Sequence, residues 1–180
     1  MKTIYMPRFA DISDVEGIMS LYKAVARNAG GIAREVGEIT PDYVRGNLEK
    51  SCENGICLVV ENPVNDRQLL GEIHCYKLQP TVFNHILSEL TIVVHPDVQQ
   101  KGIGKLLFSS LLKHIEEVRN DILRVELIVR ESNTRAQAFY QQIGFKQEGR
   151  FEKRIDTKSG SFEADIPMAW FNANFDRKSF

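Results

Sequence analysis

The sequence predicts a single domain of class α+β: a mixed sheet of about seven strands with helices on both faces. Three observations predict it. Apolar runs such as Gly55 to Glu61, Leu69 to Leu78 and Ile122 to Arg130 read as strands. Stretches such as Val15, Ile18, Met19 and Tyr22 repeat apolar residues at helical spacing. The run Leu90-Thr-Ile-Val-Val-His95 leads through a glycine loop into the periodic stretch Leu106 to Val118, which is strand, loop and helix in that order.

The elements follow in order. Ile4, Met6 and Arg8 suggest a first short strand. Asp11 or Ser13 caps the first helix, and Gly30-Gly31 ends it. Residues Ile32 to Ile39 form an exposed, mobile loop, and Thr40-Pro41 opens a second helix whose inner face carries Val44 and Leu48. Gly55 to Glu61 and Leu69 to Leu78 are strands joined by the turn Asn62-Pro-Val-Asn-Asp-Arg67. Leu87 to His95 is the next strand, followed by the loop and the long helix. Ile122 to Arg130 is another strand, and Ser132 or Asn133 caps a helix that stops near Gly144. Phe145 to Ile155 and Phe162 to Phe171 pair as a hairpin around Thr157-Lys-Ser-Gly-Ser161. The domain is expected to span 1–172, with 173–180 as a C-terminal tail.

Composition narrows the function. A chain of 180 residues can bury a substantial core, and a net charge of −1 gives no electrostatic argument for nucleic acid. Cys52, Cys57 and Cys75 show no zinc-ligand spacing and read as reduced, mostly buried thiols. The four histidines are scattered, so no metal is expected. The start lacks a signal-peptide apolar stretch, and no segment approaches membrane-spanning length. The expectation is a cytoplasmic protein without a membrane or nucleic-acid partner.

The loop Gln99-Gln-Lys-Gly-Ile-Gly-Lys105 carries the chemistry. Gly102 and Gly104 let the backbone turn tightly and a ligand approach. The amides opening a helix lack partners within it, and the helix dipole adds positive charge there, so the loop suits a phosphate or pyrophosphate. A Walker-type loop would need a glycine at Gln99 and a hydroxyl at Leu106, and a dinucleotide fingerprint would need a glycine at Leu107. The pattern that fits is Gln/Arg-x-x-Gly-x-Gly/Ala, met by Gln99, Gly102 and Gly104.

With Val94-His95-Pro96 before it, Lys105-Leu106-Leu107 after it, and Asn133, Ala136, Phe139-Tyr140 and Gly144-Phe145 farther on, the chain resembles the GNAT superfamily of N-acetyltransferases over Leu70 to Phe171. The resemblance implies acetyl-CoA as cofactor. Its pyrophosphate would meet Gln100, Lys101, Gly102, Ile103, Gly104 and Lys105, with Gln99 stabilising the loop. In that family the strands before the loop and before Asn133 splay apart. Ile92, Val93 and Val94 are then the backbone partners of the pantetheine arm, and Asn133 and Ala136 meet the arm from the next helix.

Tyr140 matches the family's usual general acid. It lies about 10 Å beyond Asn133 on the same helix face, and a phenol stays protonated at neutral pH. By composition alone it would read as a core aromatic, and Asn133 as a helix cap. Glu89 matches a glutamate that accepts the amine proton in many relatives, although strict alternation puts it opposite Ser88, Leu90, Ile92 and Val94 unless a bulge resets the phase. Glu72 and His74 are the other candidate bases, while His85 and His95 read as surface or loop residues. Ile128 stands where acetyltransferases of peptide N-termini often carry glutamate.

The acceptor is expected among Tyr22, Arg34 and Glu38, opposite Arg150, Arg154 and Asp165. These arginines suit a carboxylate or phosphate, and the acids a polyamine. The implied activity is acetyl transfer to a primary amine of a small-molecule or amino-acid-like acceptor, by direct attack in a ternary complex. A non-catalytic coenzyme A sensor or partner-binding module and a protein or peptide N-acetyltransferase are the alternatives, and homodimers are frequent in the family.

Overall fold

The structure, a computed structural model, describes residues 4–28 and 31–179, and of Asp66 and Arg67 the backbone alone. Local signals set the helix ends. Asp11 accepts from the Ser13 amide at 2.8 Å and opens a short turn that leads into α1 (Val15–Ala26). The helix ends at Ala26, and Gly30 lies outside the described residues. Thr40 accepts from the Tyr43 amide and Pro41 takes the first helical position of α2 (Pro41–Asn54), as the sequence predicts. The long helix is α3 (Ile103–Val118), and Asn133 caps α4 (Thr134–Gln142).

The strands are β1 (Pro7–Phe9), β2 (Gly55–Asn62), β3 (Asn65–Lys77), β4 (Ile86–Val94), β5 (Arg124–Arg130), β6 (Lys146–Gln147), β7 (Phe151–Asp156) and β8 (Phe162–Phe171). They follow the order β1-β2-β3-β4-β5-β8-β6, with β7 paired on β8. The pairs β1–β2, β2–β3, β5–β8, β6–β8 and β7–β8 are antiparallel, and β4–β5 is parallel. The mixed α+β class is therefore as expected, with eight strands instead of about seven. The extra strand arises because the run from Phe145 to Ile155 is split into β6 and β7. Pro167 of β8 lies opposite the break, where Glu148 N donates to its carbonyl, and a proline has no amide with which to continue that ladder.

The chain divides into two compact units, Met1–Lys77 with Thr91–Ile115, and Leu78–Leu90 with Glu116–Phe180. In the first, Ile18, Leu21, Tyr22 and Val25 of α1 and Val44 and Leu48 of α2 form one buried cluster with Cys57 and Val59 of β2. The opposite face of β3 meets α3. A Cβ on Gly71 would lie 2.8 Å from Ile103 Cγ2 and 3.0 Å from Leu107 Cδ1, so a glycine there lets the helix come close. Arg8 pairs with both Asp14 and Glu61, tying β1 to the entry of α1 and to β2.

In the second unit, alternation along β5 buries Val125, Leu127 and Val129, which lie across from Trp170, Met168 and Ile166 of β8. The other face carries Arg124 paired with Glu126 and Glu148, and Arg130 paired with Glu163. Residues after Asn172, read as a tail, are tied down: Asp176 N donates to Asn120 O at 2.9 Å and Asn174 Nδ2 to Glu116 O at 3.0 Å.

One stability prediction arises here. A Cβ on Gly46, inside α2, would meet nothing within 4 Å. Gly46→Ala is expected to stabilise the protein by about 0.5–1 kcal/mol, raising Tm by about 1–4 °C in a melt followed by circular dichroism.

Candidate active site

The glycine loop is built by consecutive local devices. His95 Nδ1 accepts from Asp97 N at 3.4 Å, and Pro96–Val98 forms a single tight turn. Gln99 Nε2 donates to Val94 O at 3.4 Å, fastening the loop to the strand that feeds it. The backbone then passes through two left-handed positions, Gln100 with φ 65° and Gly102 with φ 87°. Leu106 N makes the first helical bond, to Gly102 O at 2.9 Å. The amides of Gln100, Gly102, Ile103, Gly104 and Lys105 find no acceptor among the described residues. A Cβ on Gly104 would meet only Val94 Cγ2 at 3.7 Å and Ile92 Cδ1 at 3.9 Å, and Lys101 and Lys105 are exposed beside it. Unpaired amides at a helix start, with cations alongside, suit a pyrophosphate.

Strand β4 carries a left-handed residue at the position where the sequence reading allowed a bulge. Glu89 is exposed and sits at φ 54°, in the left-handed region. Ahead of it, Ile86 pairs with Arg124 and Leu87 with Val125 of β5. Ile92 and Val94 are half-buried and Val93 is buried.

In the second unit, Asn133 Oδ1 accepts from Ala136 N at 3.1 Å, so its cap role is real and its side-chain NH2 is left for other partners. Ala136 is half-buried. Tyr140 is buried, with its ring 5.7 Å from that of Phe139 and 6.0 Å from that of Phe145. Burial pushes its phenol up to about 12. The core-aromatic and donor readings of Tyr140 are thus compatible.

Of the residues expected as acceptor contacts or candidate bases, three come together. Tyr22 of α1 and Glu72 and His74 of β3 are all buried and hydrogen-bonded to one another. Arg34 lies over the Tyr43 ring, 4.3 Å from its centroid, and that ring is 6.4 Å from Tyr22. Glu38 accepts from Glu35 N at 2.8 Å and closes a short turn. Arg154 pairs with Asp165 at 3.5 Å; burial raises the Asp165 carboxyl, opposed by Arg154 and Arg130. Arg150 is held by Glu131 and Glu152. Sequence reasoning missed Tyr43 and Cys57. Cys57 stands across from His74 in the β2–β3 register and donates its thiol proton to Glu72. Of the thiols, Cys57 and Cys75 are buried and Cys52 is exposed.

The profile of the Acetyltransferase (GNAT) family matches residues 21–145. The chain belongs to this family. Its members use acetyl-CoA as acetyl donor, and the loop amides described above fit that molecule's pyrophosphate. Among curated proteins, a Bacillus subtilis protein called UPF0157 protein YqkA is 36% identical over 63 residues, 35% of this chain and 17% of its own length. The [Ribosomal protein bS18]-alanine N-acetyltransferase of Salmonella typhimurium is 35% identical over 84 residues, 45% of this chain and 55% of its own. The chain thus matches a sixth to about half of the length of these relatives.

Solved structures share the fold. A GNAT acetyltransferase from Streptococcus pneumoniae superposes with TM-score 0.81 at 21% identity, covering 93% of this chain and 99% of that one. A phosphinothricin acetyltransferase from Sinorhizobium meliloti, solved in complex with AcCoA, superposes with TM-score 0.80 at 17% identity, covering 96% and 89%. Among the described residues no helix is long and apolar enough to cross a membrane, and no group of three or more His, Cys, Asp or Glu is placed to hold a metal.

Proposed function

We propose that this family member transfers an acetyl group from acetyl-CoA to the primary amine of a small-molecule or amino-acid-like acceptor, by direct attack in a ternary complex. The observation that carries the proposal is the set of unpaired amides at Gln100 and from Gly102 to Lys105, at the end of the strand that feeds the loop. The loop amides, with Lys101 and Lys105, bind the pyrophosphate, and Gln99 keeps the loop closed. The backbone of Ile92, Val93 and Val94 pairs with the two amides of the pantetheine arm, and Asn133 and Ala136 add contacts from α4. Bound acetyl-CoA supplies an activated thioester; the protein supplies orientation and protons.

Tyr140 is the proposed donor to the departing sulfur. Its phenol near 12 is a weaker acid than an ordinary thiol at about 8.5, so full transfer alone is uphill by roughly 5 kcal/mol. The phenol therefore donates a hydrogen bond to the sulfur and passes on a proton that it recovers from the acylated nitrogen. Arg34 and Arg154 are the proposed groups for an acceptor carboxylate, and Glu38 for a second ammonium.

The test is thiol release from acetyl-CoA across a panel of polyamines, amino acids and an alanine-initiated peptide. The peptide belongs there because the Salmonella typhimurium relative is named for acetylating an alanine of ribosomal protein bS18. Turnover with a small amine supports the proposal, and turnover with the peptide alone replaces it by protein N-acetylation. Tight cofactor binding with no turnover on any acceptor identifies a coenzyme A sensor.

The loop has its own prediction. Gly102 has open space around its missing Cβ, but φ 87° disfavours an L side chain. Gly102→Val is expected to weaken acetyl-CoA binding at least about tenfold in calorimetry, about 1.4 kcal/mol. Gly104→Ala, whose Cβ fits at 3.7 Å, is expected to bind nearly as well as the parent. Equal affinity in parent and Gly102→Val would remove the loop from cofactor binding.

A further inference from the structure

The first unit buries four polar side chains together. Glu72 and His74 are 1% and 2% exposed, and Tyr22 and Cys57 are 1% and 4% exposed. Replacing such a cluster by apolar residues of the same volume would often cost nothing in stability, since carboxylate and imidazole both lose hydration here. Glu72 is the shared acceptor. Its Oε2 takes the Tyr22 hydroxyl proton at 2.9 Å, and its Oε1 takes the Cys57 thiol proton at 3.3 Å and the His74 Nδ1 proton at 2.7 Å. The Tyr22 oxygen also lies 3.1 Å from Nδ1 and, having given its proton to Glu72, can only accept there.

This pattern fixes one tautomer. Nδ1 carries the proton, and Nε2 keeps its lone pair. Among the described residues, the one sealed side-chain nitrogen or oxygen without a hydrogen bond is Arg124 Nε. No hydrogen bond to Nε2 of His74 is found among the described residues, and Nε2 is not among the sealed unpartnered atoms, although the side chain is only 3% exposed. The other titratable groups around the cluster are Tyr76, whose ring stacks at 6.2 Å on His74, Lys50 over Tyr76, and Tyr43 beside Tyr22.

We propose that His74 is the general base of the reaction, taking the acceptor's ammonium proton at Nε2, while Glu72, Tyr22 and Cys57 are positioning residues that hold the ring in the tautomer able to do so. The inference rests on the acetyltransferase reading above. An alkyl ammonium is neutral about once in 2,500 molecules at pH 7, so a base is needed. A neutral imidazole whose second nitrogen keeps its lone pair is a ready proton acceptor, and His74 is held in place by Tyr22, Glu72 and the stacked Tyr76 ring, whereas Glu89 is exposed. The carboxylate of Glu72 then balances the imidazolium charge inside the core. The balance closes. One ammonium proton goes to Nε2 and on to solvent. The nitrogen lone pair forms the C–N bond as the C–S bond breaks. The second nitrogen proton reaches the sulfur through Tyr140, giving amide, thiol and one released proton.

Two measurements test this. The first is a long-range proton–nitrogen NMR spectrum of the histidines in the intact protein, with His74→Gln assigning the signal. The proton is expected on Nδ1 of His74, and a proton on Nε2 overturns the inference whatever the activity. The second compares a primary alkyl amine with hydroxylamine, which is already unprotonated at neutral pH, as acceptors. His74→Gln is expected to lower kcat/KM about 100-fold for the alkyl amine and less than about threefold for hydroxylamine. Glu72→Gln, which removes the fixed tautomer, is expected to show the same split in weaker form. Equal losses with both nucleophiles, or the split appearing in Glu89→Gln and not in His74→Gln, overturn the assignment while leaving the transferase reading intact. No acetyl transfer to any amine, with acetyl-CoA still bound, overturns both.

Discussion

Replacing Tyr140 by phenylalanine is expected to lower kcat by about 10²–10³-fold while leaving the acetyl-CoA dissociation constant within about twofold. The reason lies in what the substitution keeps. The ring stays buried between Phe139 and Phe145, so packing is preserved, and only the oxygen proposed as donor to the departing sulfur is lost. Steady-state kinetics with calorimetry on the same sample checks both halves. Equal turnover in the two proteins would take Tyr140 out of the mechanism.

The same burial makes a pH statement. The folded phenol titrates near 12, above the ordinary value of about 10. Its proton is held more tightly in the folded state, so the associated stability is fully present below about pH 10 and is lost as pH rises through about 12. Activity should therefore show no alkaline fall due to this phenol near pH 10.

The second large effect concerns Glu72. Removing its carboxylate strands three buried donors, the Tyr22 hydroxyl, the Cys57 thiol and His74 Nδ1, around a cavity. Glu72→Ala is expected to cost about 3–5 kcal/mol and to lower Tm by roughly 10 °C. Tyr22→Phe removes one donor and leaves the carboxylate its two others, so it should cost only about 1 kcal/mol. Burial, and then the Glu72 charge, hold the Tyr22 phenol well above its ordinary range, and the same two causes raise the Cys57 thiol. Both groups therefore act as neutral donors to Glu72. Thermal and urea unfolding of the two variants checks the ranking; a Glu72→Ala protein as stable as Tyr22→Phe would mean that Glu72 is not the hub.

The N-terminal boundary shows how far local pattern carries. Alternation suggested a strand from Ile4, yet Ile4 and Met6 are exposed and pairing begins at Pro7 against Val60. Strand propensity without a partner forms no strand, because each unpaired amide is better solvated by water. Glu89 shows the opposite case. Alternation flagged it as out of phase, and the backbone turns left-handed at that residue.

What the sequence by itself determined was local. The Thr40-Pro41 helix start, the Asn133 cap and the glycine loop are each written within a few consecutive residues, because their hydrogen bonds close over a few positions. What only the tertiary structure decided was the gathering of Tyr22, Cys57, Glu72 and His74. Tyr22 stands 50 and 52 positions from its partners, and Cys57 stands 15 from Glu72. Their meeting depends on the β2–β3 register and on which face α1 lays on that sheet. A one-residue slip would turn every side chain of the strand to the other face, so side-chain chemistry alone does not reveal that three scattered polar residues share the one buried carboxylate of Glu72.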